Sequence, residues 1–222
     1  MTLATFKDLC IDAVDPERLG AFWSGALGLA AESLEGEVKL TGSRPEQTIW
    51  ICQVPEPVTV KQRVHLDVHA ASVDDVLALG ATPLDVDSFR WKVLRDPEGG
   101  ELCVFERDEL PAERIYEIGV DAVDARAICE WWAGVLGAPT EGEDDGCWGL
   151  KEIPGAPFEY LVFIGVPEPK TVKNRIHMDL YGSVDELVAA GASVVRAQDD
   201  EIRWTVMADP EGNEFCLFAP RS

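Results

Sequence analysis

The 222-residue sequence predicts an α+β fold built from four βαβββ modules. Two observations at the level of elements lead there. Short stretches alternate apolar and polar residues at strand period, and apolar stripes at helical spacing stand between acidic N-caps and glycines. A third observation, internal repetition, groups the modules in pairs. Ile11-Asp12-Ala13-Val14-Asp15 recurs as Val120-Asp121-Ala122-Val123-Asp124, and Val54-Pro55-Glu56-Pro57 as Val166-Pro167-Glu168-Pro169. Lys61 to Asp67 recurs as Lys173 to Asp179, and Asp96-Pro97-Glu98-Gly99 as Asp209-Pro210-Glu211-Gly212. The four motifs keep their order, roughly 110 residues apart, which marks a tandem duplication. The pattern breaks near Leu110 to Glu113, so the expected units are residues 1–112 and 113–222.

Within the first copy, Asp8 to Val14 alternates as a strand with Leu9, Ile11 and Ala13 on one face. Asp15 suits an N-cap with Pro16 at the first helical position. Leu19, Phe22, Trp23, Ala26 and Leu27 form one stripe, and Gly28 ends the helix. In the second copy Asp124 caps, Ile128, Trp131, Trp132, Val135 and Leu136 form the stripe, and Gly137 ends it. The aromatic residues on these stripes are read as core. Strands are expected at 30–34, 37–41 and 48–54, then at 63–69. Ser72 with Asp75, and Ser183 with Glu186, have capping-box spacing ahead of short helices ending at Gly80 and Gly191. Strands near 83–86, 90–95 and 101–106 complete the copy, with Asp-Pro-Glu-Gly as a type I turn.

Composition excludes several function classes. The net charge of −22 argues against nucleic acid and anionic membranes, whose recognition needs a basic patch. It suits a cationic ligand. No stretch is apolar and long enough to span a bilayer. Met1 to Phe6 shows no secretory pattern, so a cytoplasmic location is expected. None of the six cysteines forms a C-x-x-C pair, and free thiols are expected. There is no glycine-rich phosphate loop, no nucleophile elbow and no H-E-x-x-H.

Strand parity collects polar residues on faces opposite the apolar ones. Arg63, His65, Asp67 and His69 oppose Val64, Leu66 and Val68. Glu101, Cys103 and Phe105 oppose Leu102 and Val104. Asp8, Cys10 and Asp12 oppose Leu9 and Ile11. The expected ligand cavity is lined by Asp12, Arg63, His65, Asp67, Glu101 and Cys103, and by Asp121, Arg175, His177, Asp179, Glu214 and Cys216. Arg90-Trp91 and Arg203-Trp204 repeat before the turn and could serve packing or ligand contact.

Several of these motifs together resemble the vicinal oxygen chelate superfamily, the glyoxalase, bleomycin-resistance and dioxygenase group. They are the first strand ending in Asp, the helix bearing Phe22-Trp23 and closing on Leu27-Gly28, the mid-copy His, and the Asp209–Cys216 signature. The Lys173–Asp179 segment is similar to the glyoxalase-like subgroup common in actinobacterial proteins. The resemblance implies curved sheets enclosing a cavity, with metal ligands, where present, on three strands. Carried over by motif, these are Asp8 and Glu117, His65 and His177, and Cys103 and Cys216. Cysteine stands in both copies where the family has an acid. The family's cross-pairing implies Asp8 with His177 and Cys216, and Glu117 with His65 and Cys103.

Two functions stay open, and the sequence assigns no reaction. One is a metal-free binder of a small organic molecule, with no cofactor. The other is a metal-dependent lyase, isomerase or dioxygenase using zinc or iron, which thiolate ligands favour. Cysteine as a small buried hydrophobe favours the first. Because the fused halves could reproduce a dimer within one chain, a monomer or weak homodimer is expected.

Overall fold

The computed structural model describes residues 2–143 and 146–220. Met1, Asp144, Asp145, Arg221 and Ser222 lie outside the described residues. The first module is β1 (Ala4–Ala13), α1 (Pro16–Leu27), β2 (Ala30–Leu34), β3 (Glu37–Thr41) and β4 (Ile49–Gln53). The second is β5 (Val64–Ala70), α2 (Val73–Ala78), β6 (Thr82–Asp85), β7 (Lys92–Arg95) and β8 (Glu101–Glu106). The third is β9 (Ile115–Ala122), α3 (Ala125–Leu136), β10 (Thr140–Glu143), β11 (Cys147–Lys151) and β12 (Tyr160–Gly165). The fourth is β13 (Ile176–Gly182), α4 (Val184–Ala189), β14 (Ser193–Arg196), β15 (Thr205–Ala208) and β16 (Glu214–Phe218).

The modules pair across the two sequence copies. One eight-stranded sheet, here sheet A, runs β14-β15-β16-β13-β1-β4-β3-β2. Sheet B runs β10-β11-β12-β9-β5-β8-β7-β6. Sheet A thus joins the first and last modules, and sheet B the middle two. Both are open, curved sheets. The repeat in the sequence and the sheets in the structure therefore divide the chain differently.

Local chemistry sets the elements. Asp15 accepts a hydrogen bond from the Arg18 backbone N–H at 3.1 Å, and Asp124 from that of Ala127 at 3.0 Å, capping α1 and α3. Gly28 and Gly137 end these helices at φ of +68° and +67°, where a side chain would be strained. Asp-Pro-Glu-Gly does more than turn the chain. Glu98 accepts from the backbone N–H groups of Val14 and Asp15 at 2.9 and 2.7 Å, clamping the β1–α1 junction. Glu211 does the same for Val123 and Asp124 at 2.8 and 2.7 Å. Ser72 caps α2 through Asp75 N–H at 3.2 Å, whereas Ser183 makes no side-chain cap bond, contrary to its spacing.

The apolar faces of the two sheets share one core. α1 packs on sheet A and reaches β5, while α3 packs on sheet B and reaches β1. Phe22, Trp23, Leu19, Leu9, Ile49 and Ile51 of the first module join Leu66, Leu102, Ile118 and Phe163 of sheet B in this core. Each such side chain contributes roughly 1.5–3 kcal/mol on burial. Polar side chains are left to the opposite, concave faces.

Candidate functional site

Each concave face gathers a histidine, an aspartate and a cysteine. His65, Asp67 and Cys103 on sheet B present ligand atoms within 4.8 Å of one another, and so do His177, Asp179 and Cys216 on sheet A. Parity and pairing explain the grouping. His65 and Asp67 are two apart on β5, and Asp67 faces Cys103 of the parallel β8. Asp179 faces Cys216 on β16 in the same way. His65 Nε2 lies 3.3 Å from Asp67 Oδ1, and His177 Nε2 lies 3.5 Å from Asp179 Oδ1. Neither pair has hydrogen-bond alignment, and both aspartate Oδ1 atoms are buried without a partner.

A β-bulge brings in the first-strand acid. In sheet B Asp67 pairs with Glu117 and Val68 with Ile115, so Tyr116 is the extra residue. In sheet A Asp179 pairs with Asp8 and Leu180 with Phe6, which leaves Lys7 extra. The bulge re-aims the extra side chain into the concave face beside the acid. Lys7 accordingly donates to Asp8 at 2.6 Å and lies 4.2 Å over the Phe218 ring. Tyr116 meets Phe105 at 4.9 Å and Tyr160 at 5.7 Å.

Burial decides the protonation states. Desolvation raises Asp67 to about 8, and the neighbouring Glu117 charge adds to it, so Asp67 keeps its proton at neutral pH. Burial raises Glu117 too, while the hydrogen bond from Asp67 favours its carboxylate. Burial and then the Asp8 charge raise Asp179. Burial lowers His65 to about 4 and His177 to about 3, which makes both neutral. Both Cys103 and Cys216 are pushed up by burial and stay thiols.

The two sites differ in what surrounds the acid. In sheet A Trp50 donates to Asp8 at 3.3 Å, and Lys39 lies 5.2 Å from the Trp50 ring centre. The matching register places Val162 and Gly149 there in sheet B. The space left is a cavity of about 310 Å³ lined by Tyr116, Glu117, Glu141, Gly149, Tyr160 and Val162. No ion pair to Glu117 occurs among the described residues. An aromatic array flanks the cavity, with Phe89 on Trp91 at 4.9 Å and Trp91 on Phe105 at 5.5 Å.

The other expected cavity residues lie apart from these clusters and carry bonds of their own. Asp12 pairs with Lys173, and Asp121 with Lys61 at 2.7 Å. Arg63 donates to the carbonyls of Glu168 at 2.6 Å and Asp121 at 2.8 Å. Arg175 donates to the carbonyls of Glu56 and Asp12 and pairs with Glu98. Asp12, Arg63 and Arg175 border a space of about 360 Å³ between the 54–63 and 172–175 loops, and these bonds brace the modules. Glu214 binds Lys170 at 2.6 Å and the Asn174 N–H at 3.1 Å. Glu101 borders a separate recess with Lys61 and Arg95. Of the residues carried over as metal ligands, His65 with Cys103 and His177 with Cys216 come together, and Glu117 and Asp8 adjoin them through Asp67 and Asp179. Sequence reasoning did not place Asp67 and Asp179 among the metal-binding candidates, although the His-x-Asp spacing on one strand face signals them. Tyr116 was missed because a bulge breaks parity in β9, and Tyr160 and Glu141 because they lie on β12 and β10, strands to which the sequence reading assigned no site residue.

The donor sets fit a metal. Nitrogen, oxygen and sulfur converge with an unpartnered buried oxygen in each, a set suited to zinc or iron.

Known structures share the architecture. Glyoxalase I from Zea mays aligns at 14% identity and a TM-score of 0.63, over 96% of this chain and 92% of that one. A dioxygenase candidate from Bacillus subtilis aligns at 11% identity and a TM-score of 0.65, over 100% and 86%. The cppA protein from Streptococcus pneumoniae TIGR4 aligns at 11% identity and 0.53, over 98% of each chain. No curated protein matches the sequence. The profile of the glyoxalase-like domain matches residues 8–105 and again residues 117–218. With both copies matched, the chain belongs to the glyoxalase-like domain family of the vicinal oxygen chelate superfamily.

Proposed function

We propose that this protein binds a small organic cation on the concave face of sheet B, without metal. One observation carries the reading: the Glu117 carboxylate opens into a cavity of about 310 Å³, and no ion pair compensates it among the described residues. Tyr160 offers an aromatic surface to a flat or alkylated cation and Glu117 offers the counter-charge, while Arg107 lies 5.7 Å over the Tyr116 ring. The Asp8 counterpart is filled by Lys7 and Trp50 and serves the fold. Isothermal titration against a panel of aromatic amines and quaternary ammonium compounds tests this. Binding lost in Glu117→Gln and kept in Asp8→Asn is expected. Equal loss in both variants, or no binder in the panel, would overturn it.

A second reading rests on the His65, Asp67 and Cys103 cluster. These residues, with Glu117 beside them, would hold a divalent zinc or iron ion, which supplies Lewis-acid polarisation of a substrate oxygen. The residues around it would orient that substrate, Tyr116 and Tyr160 by stacking. Loading would require Cys103 and Asp67 to lose their protons, so it would weaken steeply with acid. Mass-spectrometric metal analysis of untagged protein separates the two readings. Stoichiometric zinc or iron, lost in His65→Ala, would replace the metal-free reading. A monomer or weak homodimer in light scattering, and a cytoplasmic location, belong to the same proposal.

A further inference from the structure

The thiols of Cys10 and Cys52 lie 3.3 Å apart, sulfur to sulfur. They belong to neighbouring parallel strands: Cys10 pairs with Trp50, and Cys52 with Asp12. The two side chains lean diagonally towards each other on the concave side of sheet A. Sheet B has no such pair, because Gly119 and Ile164 hold the matching register positions. Of the two, Cys10 is buried and Cys52 is half-buried. Neither thiol is used by the site on sheet B.

We infer that Cys10 and Cys52 form an oxidative modification site, which a peroxide converts to an intramolecular disulfide. Cys52, the more accessible thiol, meets the oxidant first. Its thiolate attacks one peroxide oxygen, the O–O bond breaks, and the departing hydroxide takes up a proton to become water. Cys52 is then a sulfenic acid. The Cys10 sulfur attacks the Cys52 sulfur, the S–O bond breaks, and hydroxide leaves with the Cys10 proton as a second water. Two thiols and one hydrogen peroxide thus give one disulfide and two waters. The sulfurs need close only from 3.3 Å, about van der Waals contact, to bonding distance. The bond would tie β1 to β4 across a loop of 42 residues and stiffen the face that carries His177 and Asp179.

Hydrogen peroxide treatment of the full chain tests this, followed by denaturation in an alkylating reagent and tryptic mass mapping. The expected product joins the peptide 8–18 to the peptide 40–61 and is opened by a thiol reductant, with the other cysteines alkylated. A higher melting temperature for oxidised than for reduced protein is also expected, and its absence in Cys52→Ser. Cys10 still alkylated after oxidation, or joined to a different cysteine, would overturn the proposal. So would Cys52 carried on to the sulfinic acid without a bridge. Mapping of the unsubstituted protein suffices should the variant fold poorly.

Discussion

Sheets A and B hold the same histidine, aspartate, cysteine and first-strand acid, yet they spend them differently. In sheet A the acid is answered from within: Lys7 neutralises Asp8 and Trp50 covers it. In sheet B the bulge delivers Tyr116 instead of Lys7, and Val162 and Gly149 leave room. A catalytic-looking cluster therefore says little by itself. Whether its charge is already satisfied decides whether it can receive a ligand.

The largest test transfers one face onto the other. Val162→Trp puts an indole where Trp50 stands in sheet A, and is expected to weaken ligand binding on the order of a hundredfold. Glu117→Gln removes a charged partner worth roughly 1.5–3 kcal/mol, or about ten- to hundredfold in affinity. Titration calorimetry reads both, and unchanged affinity in Val162→Trp would place the ligand elsewhere.

Acidity acts on both clusters, and Asp67 is the one to test next. Asp67 is raised from 3.8 to about 8 in the fold, so the folded state holds more protons than the unfolded chain between those values. Its stability contribution is complete at low pH and lost as pH rises towards 8. Burial lowers His65 from 6.5 to about 4, which acts oppositely, but only below 6.5. Between pH 6.5 and 8 stability should fall, by up to about 1.4 kcal/mol per pH unit for one proton. Urea melts should show Asp67→Asn flattening that fall; an unchanged slope would mean that Asp67 ionises normally.

Two smaller differences between the copies sharpen the comparison. Trp132 donates to Asp209 at 3.1 Å, while the Trp23 indole N–H is buried without a partner. Trp132→Phe should therefore cost about 1 kcal/mol more than Trp23→Phe in chemical denaturation. Ser72→Ala should cost roughly 1 kcal/mol by loss of a cap, and Ser183→Ala close to nothing. Equal effects within either pair would contradict the hydrogen bonding described.

Local features were legible in the sequence. The repeat, the Asp15 and Asp124 caps, the Gly28 and Gly137 stops and the buried parity of Leu66 and Leu102 all follow from nearest-neighbour geometry. The pairing of β1 with β13 was implied only by the family resemblance, through Asp8 with His177 and Cys216, because which strands meet depends on contacts between distant segments. The bulges at Lys7 and Tyr116 were also hidden, since one extra residue leaves no mark in composition. Parity points Asp12, Asp121, Arg63 and Arg175 toward a cavity without naming their partners. Asp12, Arg63 and Arg175 border the space between the 54–63 and 172–175 loops, and all four residues also brace these loops, because each lies at a strand end where partners from the next module come within reach.

The strand order also bears on synthesis. Sheet B occupies one continuous stretch, 64–165, whereas sheet A joins β1 to β13, at opposite ends of the chain. On the ribosome the middle of the protein can close while β1 still waits for its neighbour. Completion of sheet A is then the late, slow event, since its ends must find each other over the whole chain length. Refolding should proceed in two phases, the faster reporting Trp148 and the slower Trp50.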